Sequence, residues 1–396
     1  MYNAIQANKD TWWLGVNDFS TDLFESLWPL PQGVAYNAYA VLGTTATAAI
    51  DTVKGPYLDE YVNKLTEALG HRTLNYLVVN HMEPDHAGLI SQLKAIWPSL
   101  KFIGNAKTVP MLKGYHGITE DIITVKDGDT LDLGGHVLRF FTVPMLHWPE
   151  SMVTFDTTTG VLFSNDSFGG FGAHEGGIFD DEKNNSRWED EMLRYYACIV
   201  GKYSNIVQVA LKKLGGLPIT NIFPSHGTLF RKDIKQVISL YDKWSRYEAE
   251  PGAVVVYGSM YGNTRRMAEA VCSGLSGAKV KDVRLYDVSR TDASYILRDI
   301  WKFKAFALLA CTYNTQLFPP MEALCSKLLS RMPKNKVIGL SGSYTWSKGA
   351  LTALQEYAEK SKLEKVGPEV EVYTSPTPED LEKLCELGKN LGEAIA

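Results

Sequence analysis

The most informative stretch of this chain is Asn80-His81-Met82-Glu83-Pro84-Asp85-His86-Ala87-Gly88. The apolar residues 76–79 before it predict a short buried strand, and residues 87–97 after it predict the start of a helix. Alternate residues of an extended chain point the same way, so we expect His81, Glu83 and Asp85 to converge while His86 enters from the other side. Two imidazoles and two carboxylates at this spacing are typical of a metal site. The alternative is a polar turn with incidental histidines.

Length and composition exclude several classes of protein. The chain has 396 residues, enough for two domains, and its 45% hydrophobic and 21% charged content is typical of a soluble globular protein. A net charge of −5 gives no sign of nucleic-acid binding. The sequence predicts no signal peptide and no membrane span, so we expect a cytoplasmic protein. The five cysteines form no C-x-x-C pair, which predicts neither a disulfide frame, nor a thiolate zinc site, nor a fused rubredoxin-like module.

Three later strands each lead to another metal-binding type of side chain. Residues 137–143, 160–164 and 221–223 have strand patterns, and the loops after them carry His147, Asp166 and His226. Each of these alone could be a capping or turn residue. Together with the first cluster they give a candidate set of seven: His81, Glu83, Asp85, His86, His147, Asp166 and His226.

Seven ligands are too many for one tetrahedral ion and suit two metals that share a bridge. We expect one ion to take His81, Glu83 and His147. The other ion would take Asp85, His86 and His226. Asp166 is the expected bridging carboxylate. Carboxylates combined with imidazoles favour iron or manganese over a softer metal.

The pattern H-x-[H/E]-x-D-H, followed by His, Asp and His at long intervals, resembles the metallo-β-lactamase fold. That resemblance implies a four-layer αββα sandwich with metals at the strand ends. Hydrolytic members usually carry a third His where this chain has Glu83. The Glu form is similar to the flavodiiron proteins, whose site holds two non-haem irons, and the stretches 144–149 and 163–166 are similar to that family's later ligand segments.

A second domain is expected to begin at Pro251-Gly252, which gives domains 1–250 and 251–396. Residues 253–257 predict a buried strand, 258–264 a loop of small and hydroxyl residues, and 265–275 a helix. Such a loop binds phosphate at the helix N-terminus, and the absence of G-x-G-x-x-G favours a monophosphate such as that of FMN. Strands then alternate with helices to the C-terminus, which predicts a doubly wound parallel sheet.

This half resembles flavodoxin, which implies an FMN site made of three loops. The phosphate loop would be Ser259, Met260, Tyr261, Gly262, Asn263 and Thr264. The two loops that flank the isoalloxazine would be Thr312, Tyr313 and Asn314, and Ser343, Tyr344, Thr345 and Trp346. Tyr344 or Trp346 would stack on the ring; the alternative for Trp346 is a surface aromatic that covers the edge of the core.

The two halves in this order resemble a flavodiiron protein along nearly the whole chain. The resemblance implies an oxidoreductase that passes electrons from an outside donor through FMN to two irons and reduces O2 to water, NO to N2O, or both. The donor would be a rubredoxin, a flavin reductase or a reduced deazaflavin. The assembly would be a head-to-tail homodimer or a dimer of such dimers, with the FMN of one subunit beside the irons of the other.

Trp148 and Tyr196 are expected to line the gas pocket, together with Phe168 and Tyr195, for which ordinary core packing is the alternative. The chain departs from the family at residues 24–28, where many members carry a histidine and this one has none. Two other functions stay open. One is a dinuclear zinc hydrolase, and the other is an electron shuttle with a vestigial metal site.

Overall fold

The chain folds as two units. The computed structural model describes residues 3–183 and 185–395, apart from the side chains of residues 185–187. The first unit holds the residues up to Tyr196 together with Tyr203–Asp242, and the second holds Ala197–Lys202 and the chain from Lys243 onward. The short segment Ala197–Lys202 therefore belongs to the unit that follows it in sequence. The domain limits 1–250 and 251–396 stay a prediction.

Sixteen strands are described in the first unit. They are β1 (Ile5–Asn8), β2 (Thr11–Trp13), β3 (Val16–Asp18), β4 (Leu23–Phe24), β5 (Trp28–Pro29), β6 (Val34–Tyr36), β7 (Tyr39–Leu42), β8 (Thr47–Ile50), β9 (Tyr76–Val78), β10 (Lys101–Gly104), β11 (Ile122–Thr124), β12 (Thr130–Asp132), β13 (Val137–Thr142), β14 (Met152–Asp156), β15 (Val161–Asn165) and β16 (Asn221–Pro224). The larger sheet has the order β1-β2-β7-β8-β9-β10-β11 and the smaller one β12-β13-β14-β15-β16. Two short antiparallel pairs, β3 with β6 and β4 with β5, complete the set.

The main core of this unit lies between its two sheets. Ile50 and Val78 of the larger sheet belong to the same buried cluster as Phe140 and Phe163 of the smaller one. The predicted sandwich is therefore confirmed. Its helices are α1 (Leu58–Leu69), α2 (Pro84–Ala87), α3 (Ile90–Ile96), α4 (Thr108–His116), α5 (Asn185–Tyr195), α6 (Ser204–Leu214) and α7 (Ile234–Ser245), the last of which ends beyond the limit of the unit.

The second unit is a parallel sheet with helices between its strands. The strands are β17 (Glu250–Gly258), β18 (Val283–Asp287), β19 (Phe303–Tyr313), β20 (Gln316–Leu317), β21 (Val337–Tyr344), β22 (Glu364–Lys365) and β23 (Val370–Tyr373). The helices are α8 (Asn263–Gly277), α9 (Ala293–Lys302), α10 (Pro319–Arg331), α11 (Ala350–Ser361) and α12 (Pro378–Glu393). The parallel pairings give the order β18-β17-β19-β21-β23, which is the flavodoxin order, and confirm the predicted doubly wound sheet.

Two strands of this sheet are longer than the sequence predicts. From the sequence we expected residues 312–314 and 343–346 to lie in loops. Instead β19 continues to Tyr313 because Thr312 and Tyr313 pair with the short antiparallel strand β20. The end of β21 is held in the sheet by four residue pairs with β23. The predicted loop residues 312–313 and 343–344 therefore lie at the ends of strands.

Among the described residues, no helix combines the length and the hydropathy that crossing a bilayer requires.

Candidate metal centre and flavin loops

The seven side chains predicted from the sequence come together in the first unit as two adjoining groups. One group is His81, Glu83, His147 and Asp166, and the other is Asp85, His86 and His226. Within each group, the nitrogen or oxygen atoms that could hold an ion lie within 4.8 Å of one another. That these residues bind metal stays a prediction.

Asp166 connects the two groups through its two carboxylate oxygens. Its Oδ1 lies 3.0 Å from His86 Nε2 and 3.5 Å from His226 Nε2. Its Oδ2 lies 3.4 Å from His81 Nε2 and 3.3 Å from His147 Nε2. Each oxygen therefore faces a different pair of imidazoles, as a bridging carboxylate requires.

The remaining distances within the groups fit two ions. Glu83 Oε2 is 3.1 Å from His81 Nε2 and 3.0 Å from His147 Nε2. Asp85 Oδ2 is 3.4 Å from His226 Nε2. Two atoms that each lie ~2.1 Å from one ion are roughly 3.0–3.4 Å apart at octahedral to tetrahedral angles. In the described part of the chain, the buried atoms Asp85 Oδ1, Asp166 Oδ2 and His226 Nε2 have no hydrogen-bond partner, which is costly unless a cation satisfies them.

The seven candidate metal ligands, the donor residues, follow the ends of β9, β13, β15 and β16, as the sequence predicts. Asp51, which directly follows β8, hydrogen-bonds to the residues at two of these ends and is connected through one of them to a third. Its Oδ1 accepts the Asn80 backbone N–H at 2.7 Å, and its Oδ2 accepts the side-chain amides of Asn80 at 3.1 Å and Asn165 at 3.3 Å. The Asn165 amide also donates to the Ser225 hydroxyl at 3.1 Å. Asn80, Asn165 and Ser225 each directly precede one of the donor residues.

One part of the sequence argument was wrong. We expected an extended loop in which Asp85 converges with His81 and Glu83. The residues 84–87 instead form the short helix α2, since proline fits the first turn of a helix, where its missing N–H costs nothing. The helical turn places Asp85 beside His86 and His226, which is the group predicted for the second ion, so only the extended conformation was wrong.

Glu150 is a site residue that the sequence analysis missed. Its Oε1 accepts from His81 Nδ1 at 2.7 Å and from the Met82 backbone N–H at 3.0 Å, and the side chain is fully buried. In the same way, His226 Nδ1 donates to the Ala35 carbonyl at 3.0 Å. Both contacts fix the ring orientation and direct Nε2 towards the centre, as partners of metal-binding histidines do. The acidic residue three positions beyond His147 was the available signal.

The electrostatics of the groups favour a bound cation. Burial lowers the pKa of His81, but the carboxylates of Glu150, Glu83 and Asp166 outweigh burial and raise it to about 10. Burial is likewise outweighed at His147, where Asp166 and Glu83 raise the pKa to about 10. Burial raises the pKa of Glu83, yet the two histidines lower it to about 2. The carboxylates of the cluster therefore stabilise additional positive charge, such as that of a metal ion.

A cavity of about 250 Å³ opens over Glu83 and Asp85. Phe24 and Tyr36 line it, and both rings pack edge-on against His226, at centroid distances of 5.1 and 5.6 Å. Glu25 also lines this cavity. Desolvation, reinforced by the charge of Glu83, raises the pKa of Glu25.

Of the four pocket residues predicted from the sequence, three have clearly different positions. The Trp148 ring packs edge-on against His81, with the centroids 5.1 Å apart. The Tyr196 hydroxyl, in contrast, pairs with the Ser204 hydroxyl at 2.9 Å. It is Tyr195 whose hydroxyl donates to Asp166 Oδ1, at 3.0 Å. We therefore assign Tyr195, and not Tyr196, as the tyrosine of the site. Neighbouring residues on a helix point in different directions, and the sequence alone did not show which of the two faces the centre.

In the second unit, the predicted flavin loops surround a cavity of about 70 Å³. Its lining includes Ser259, Met260, Tyr261, Asn263, Thr264, Thr312, Ser343, Tyr344 and Thr345. The Thr264 and Ser343 hydroxyls lie 3.0 Å apart. Helix α8 begins at Asn263, so its N-terminus faces this loop, as a phosphate site requires. Tyr344 lines the cavity and Trp346 is 77% exposed; that one of them stacks on the flavin ring stays a prediction.

Comparison with known proteins supports this division of the chain. The family described as ODP family beta lactamase matches residues 34–227, and Flavodoxin matches residues 255–388. A nitric oxide reductase of Moorella thermoacetica is 33% identical over 401 residues, with all of both chains covered. An anaerobic nitric oxide reductase flavorubredoxin of Pectobacterium carotovorum is 34% identical, with 89% of this chain and 71% of the relative covered.

Solved structures agree along the whole chain. Rubredoxin oxygen:oxidoreductase from Desulfovibrio gigas matches with a TM-score of 0.95 and 27% identity, over 99% of this chain and 98% of that one. The flavodiiron protein from Giardia intestinalis matches with a TM-score of 0.95 and 26% identity, over 100% of this chain and 97% of that one. The chain therefore belongs to the flavodiiron protein family of oxidoreductases, which join a metallo-β-lactamase-like domain to a flavodoxin domain.

Proposed function

We propose that this chain reduces NO or O2, with electrons that pass through FMN to two iron ions held by the seven donor residues. The observation that carries the proposal is Asp166, whose two oxygens face two separate pairs of histidines in a chain that also contains a flavodoxin domain. The relatives add support, since one is named for the reduction of nitric oxide and a similar structure is named as an oxygen oxidoreductase.

The donor set suits iron because it combines hard carboxylate oxygens with imidazole nitrogens and contains no thiolate. When bound, FMN supplies one- and two-electron transfer, and the iron pair supplies a place where a small gas is bound and reduced. The chain's own residues hold the geometry. Glu150 and the Ala35 carbonyl fix two histidine rings, and Phe24 and Tyr36 limit the access of water to His226.

The overall reactions define how many electrons and protons the site must supply. Two NO with two electrons and two protons give N2O and one water. One O2 with four electrons and four protons gives two waters. Both reactions consume protons, and the Tyr195 hydroxyl on Asp166 and the Glu25 carboxyl in the cavity wall are the nearby groups that can hold one.

The test is to reduce the protein without oxygen and then to add NO and O2 separately, recording both consumption rates. We expect fast consumption of at least one gas. His147→Ala should abolish consumption and leave the flavin absorbance unchanged. His116→Ala is the matched control, because His116 lies at the end of α4 beside Ser91 and should leave turnover unchanged. A reduced protein that consumes neither gas would overturn the proposal.

We also propose that the working form is a head-to-tail homodimer or a dimer of such dimers. Exposed apolar side chains support it in both units. In the first unit, Leu23 in the cavity wall is 45% exposed and Leu27 is 50% exposed, and in the second unit Tyr261 and Trp346 of the flavin loops are exposed. The proposed electron donor is a rubredoxin, a flavin reductase or a reduced deazaflavin. The proposed location of the protein is the cytoplasm. Sedimentation of the wild type and of Leu27→Asp tests the assembly. A wild-type monomer with full turnover would contradict it.

A further inference from the structure

The turn that carries His226 is held by Asn37, the residue that directly follows β6. The Asn37 backbone N–H donates to the Ser225 carbonyl at 2.7 Å. Its side-chain amide nitrogen donates to the Pro224 carbonyl at 3.0 Å and to the Gly227 carbonyl at 2.9 Å. Asn37 therefore holds the two residues before His226 and the residue after it.

The same short segment also orients the ring of His226. The Ala35 carbonyl accepts from His226 Nδ1 at 3.0 Å, and the Tyr36 ring packs edge-on against the imidazole. Residues 35 and 36 thus act on the ring, whereas Asn37 acts on the main chain. The direction in which His226 presents Nε2 depends on both.

The amide of Asn37 can hold these carbonyls in one orientation only. Its Oδ1 accepts the indole N–H of Trp13 at 2.8 Å, and an indole nitrogen only donates. Rotation of the amide by 180° would turn Oδ1 towards the carbonyls of Pro224 and Gly227 and the amide N–H groups towards Trp13. The side chain is fully buried, so solvent does not replace the hydrogen bonds that such a rotation would break.

A buried histidine reinforces this orientation. The Lys183 ammonium lies 2.7 Å from His174 Nδ1, and because an ammonium only donates, Nδ1 accepts and Nε2 carries the proton. His174 Nε2 then donates to Asn37 Oδ1 at 3.1 Å. Burial, together with the charges of Lys183 and Lys64, holds the pKa of His174 well below its usual range. The ring is therefore neutral and keeps the tautomer that donates to Asn37.

We propose that Asn37 is a positioning residue for His226, and that His174 keeps the Asn37 amide in the orientation that this role requires. The inference rests on the proposed function, because it takes His226 to bind one of the two ions. Within the described chain, the hydrogen bonds of Asn37 reach the main chain around His226 and no donor residue of the other group. Loss of the amide donors therefore weakens one ion more than the other.

Asn37→Asp is the most specific probe. Aspartate has the same shape and keeps an acceptor for Trp13 and His174, but it replaces the two amide N–H donors with an oxygen. Chelator competition on the iron- and flavin-loaded protein measures the affinity of both ions. We expect one ion to bind roughly 10- to 100-fold more weakly and the other to keep its wild-type affinity. Mössbauer spectra should show the same asymmetry, with changed parameters for one iron only, which a general loss of stability does not produce.

His174 provides a second pair of variants, which decides the question if Asn37→Asp does not fold. His174→Phe removes the N–H that donates to Asn37, whereas His174→Gln keeps an amide N–H that can reach it. We expect His174→Phe to weaken the same ion and His174→Gln to restore its affinity. His136→Phe is the matched control, because His136 is also buried and paired, with Asp156 at 2.7 Å, but lies at the start of β13 and should leave both ions unchanged.

The wild type and the variants test different claims. A wild-type chain that binds no pair of iron ions overturns the proposed function. If the wild type binds two ions, equal weakening of both ions in Asn37→Asp, or no weakening, overturns the positioning role of Asn37. A His174→Gln variant that behaves like His174→Phe overturns the role of His174.

Discussion

At the scale of single residues, Asp166 has a role that no other donor residue shares. Its two oxygens face different pairs of histidines, whereas Asp85 belongs to one group only. Surrounding histidines hold the pKa of Asp166 well below its usual range although burial alone would raise it. The carboxylate is therefore charged throughout the range in which the protein is handled.

This asymmetry predicts different metal losses from two matched substitutions. Asp166→Asn removes the shared charge, so we expect both ions to be lost. Asp85→Asn removes a donor from one group, so we expect one ion to remain. Metal analysis of each purified variant measures the difference. Equal metal content in the two variants would contradict the bridging role of Asp166.

Lys336 is a buried cation in the second unit that makes stability depend on pH. Burial lowers its pKa to about 7, with a further lowering from Lys304, while its ammonium donates to the Trp301 carbonyl at 2.7 Å. The unfolded chain keeps the ordinary value near 10.5. Between these two values the unfolded state binds more protons than the folded state, so the stability contributed by this site rises with pH.

Lys336→Met removes this dependence. The variant should be more stable than the wild type. We expect this difference in the free energy of unfolding to be largest at pH 7 and below. Above pH 7 it should fall by about 1.4 kcal/mol per pH unit up to roughly pH 10. Urea unfolding at several pH values measures it. Lys334→Met, on the exposed residue two positions earlier, should show no such slope. Parallel stability curves for Lys336→Met and the wild type would refute the assignment.

At the scale of elements, the site depends on strand ends that are anchored to one another. Asp51 accepts three N–H groups from residues that directly precede His81 and Asp166. Two members of this network, Asp51 and Asn165, have left-handed backbones, with φ of 55° and 53°. Such conformations persist where surrounding contacts hold them, as they do here.

Asp51→Asn puts a side-chain N–H at the position where Asp51 accepts the N–H groups of Asn80 and Asn165, so that hydrogen-bond donors face each other. We expect it to lower the free energy of unfolding by about 1–3 kcal/mol and to weaken metal binding as well, because Asp51 holds the residues that directly precede His81 and Asp166. Asp180→Asn is the matched control. Asp180 is equally buried and accepts backbone N–H groups from Arg231, Lys232 and Asp233, so it should cost stability without affecting the metal. Chelator competition and urea unfolding measure both effects; equal metal affinity in the two variants would contradict the anchoring role.

Much of this arrangement could be predicted from the sequence, because each donor residue follows a strand with a clear apolar pattern. The division of the donors into two groups was also predicted. The helical turn at Pro84 was missed because the extended pattern was continued through it. Glu150 and Asp51 were missed because their importance comes from long-range hydrogen bonds to His81 and Asn80, and sequence spacing does not encode such contacts.

At the scale of the whole molecule, the chain combines two units with complementary chemistry. The sandwich gathers carboxylates and imidazoles, and the parallel sheet gathers hydroxyls at the N-terminus of α8. Alternating strand and helix patterns predicted the doubly wound sheet, whereas the sandwich was expected from the resemblance of the ligand pattern to the metallo-β-lactamase fold. The sequence did not predict that Ala197–Lys202 belongs to the second unit, since six residues within an apolar helical region give no signal of a change of unit.

The most direct test of the central claim is a joint determination of metal and flavin in the purified chain. We predict two iron ions and one FMN per chain, with iron absent when His81 and His147 are both replaced by alanine and FMN retained. Two zinc ions without flavin, in a protein that hydrolyses an ester or a phosphodiester, would contradict the account.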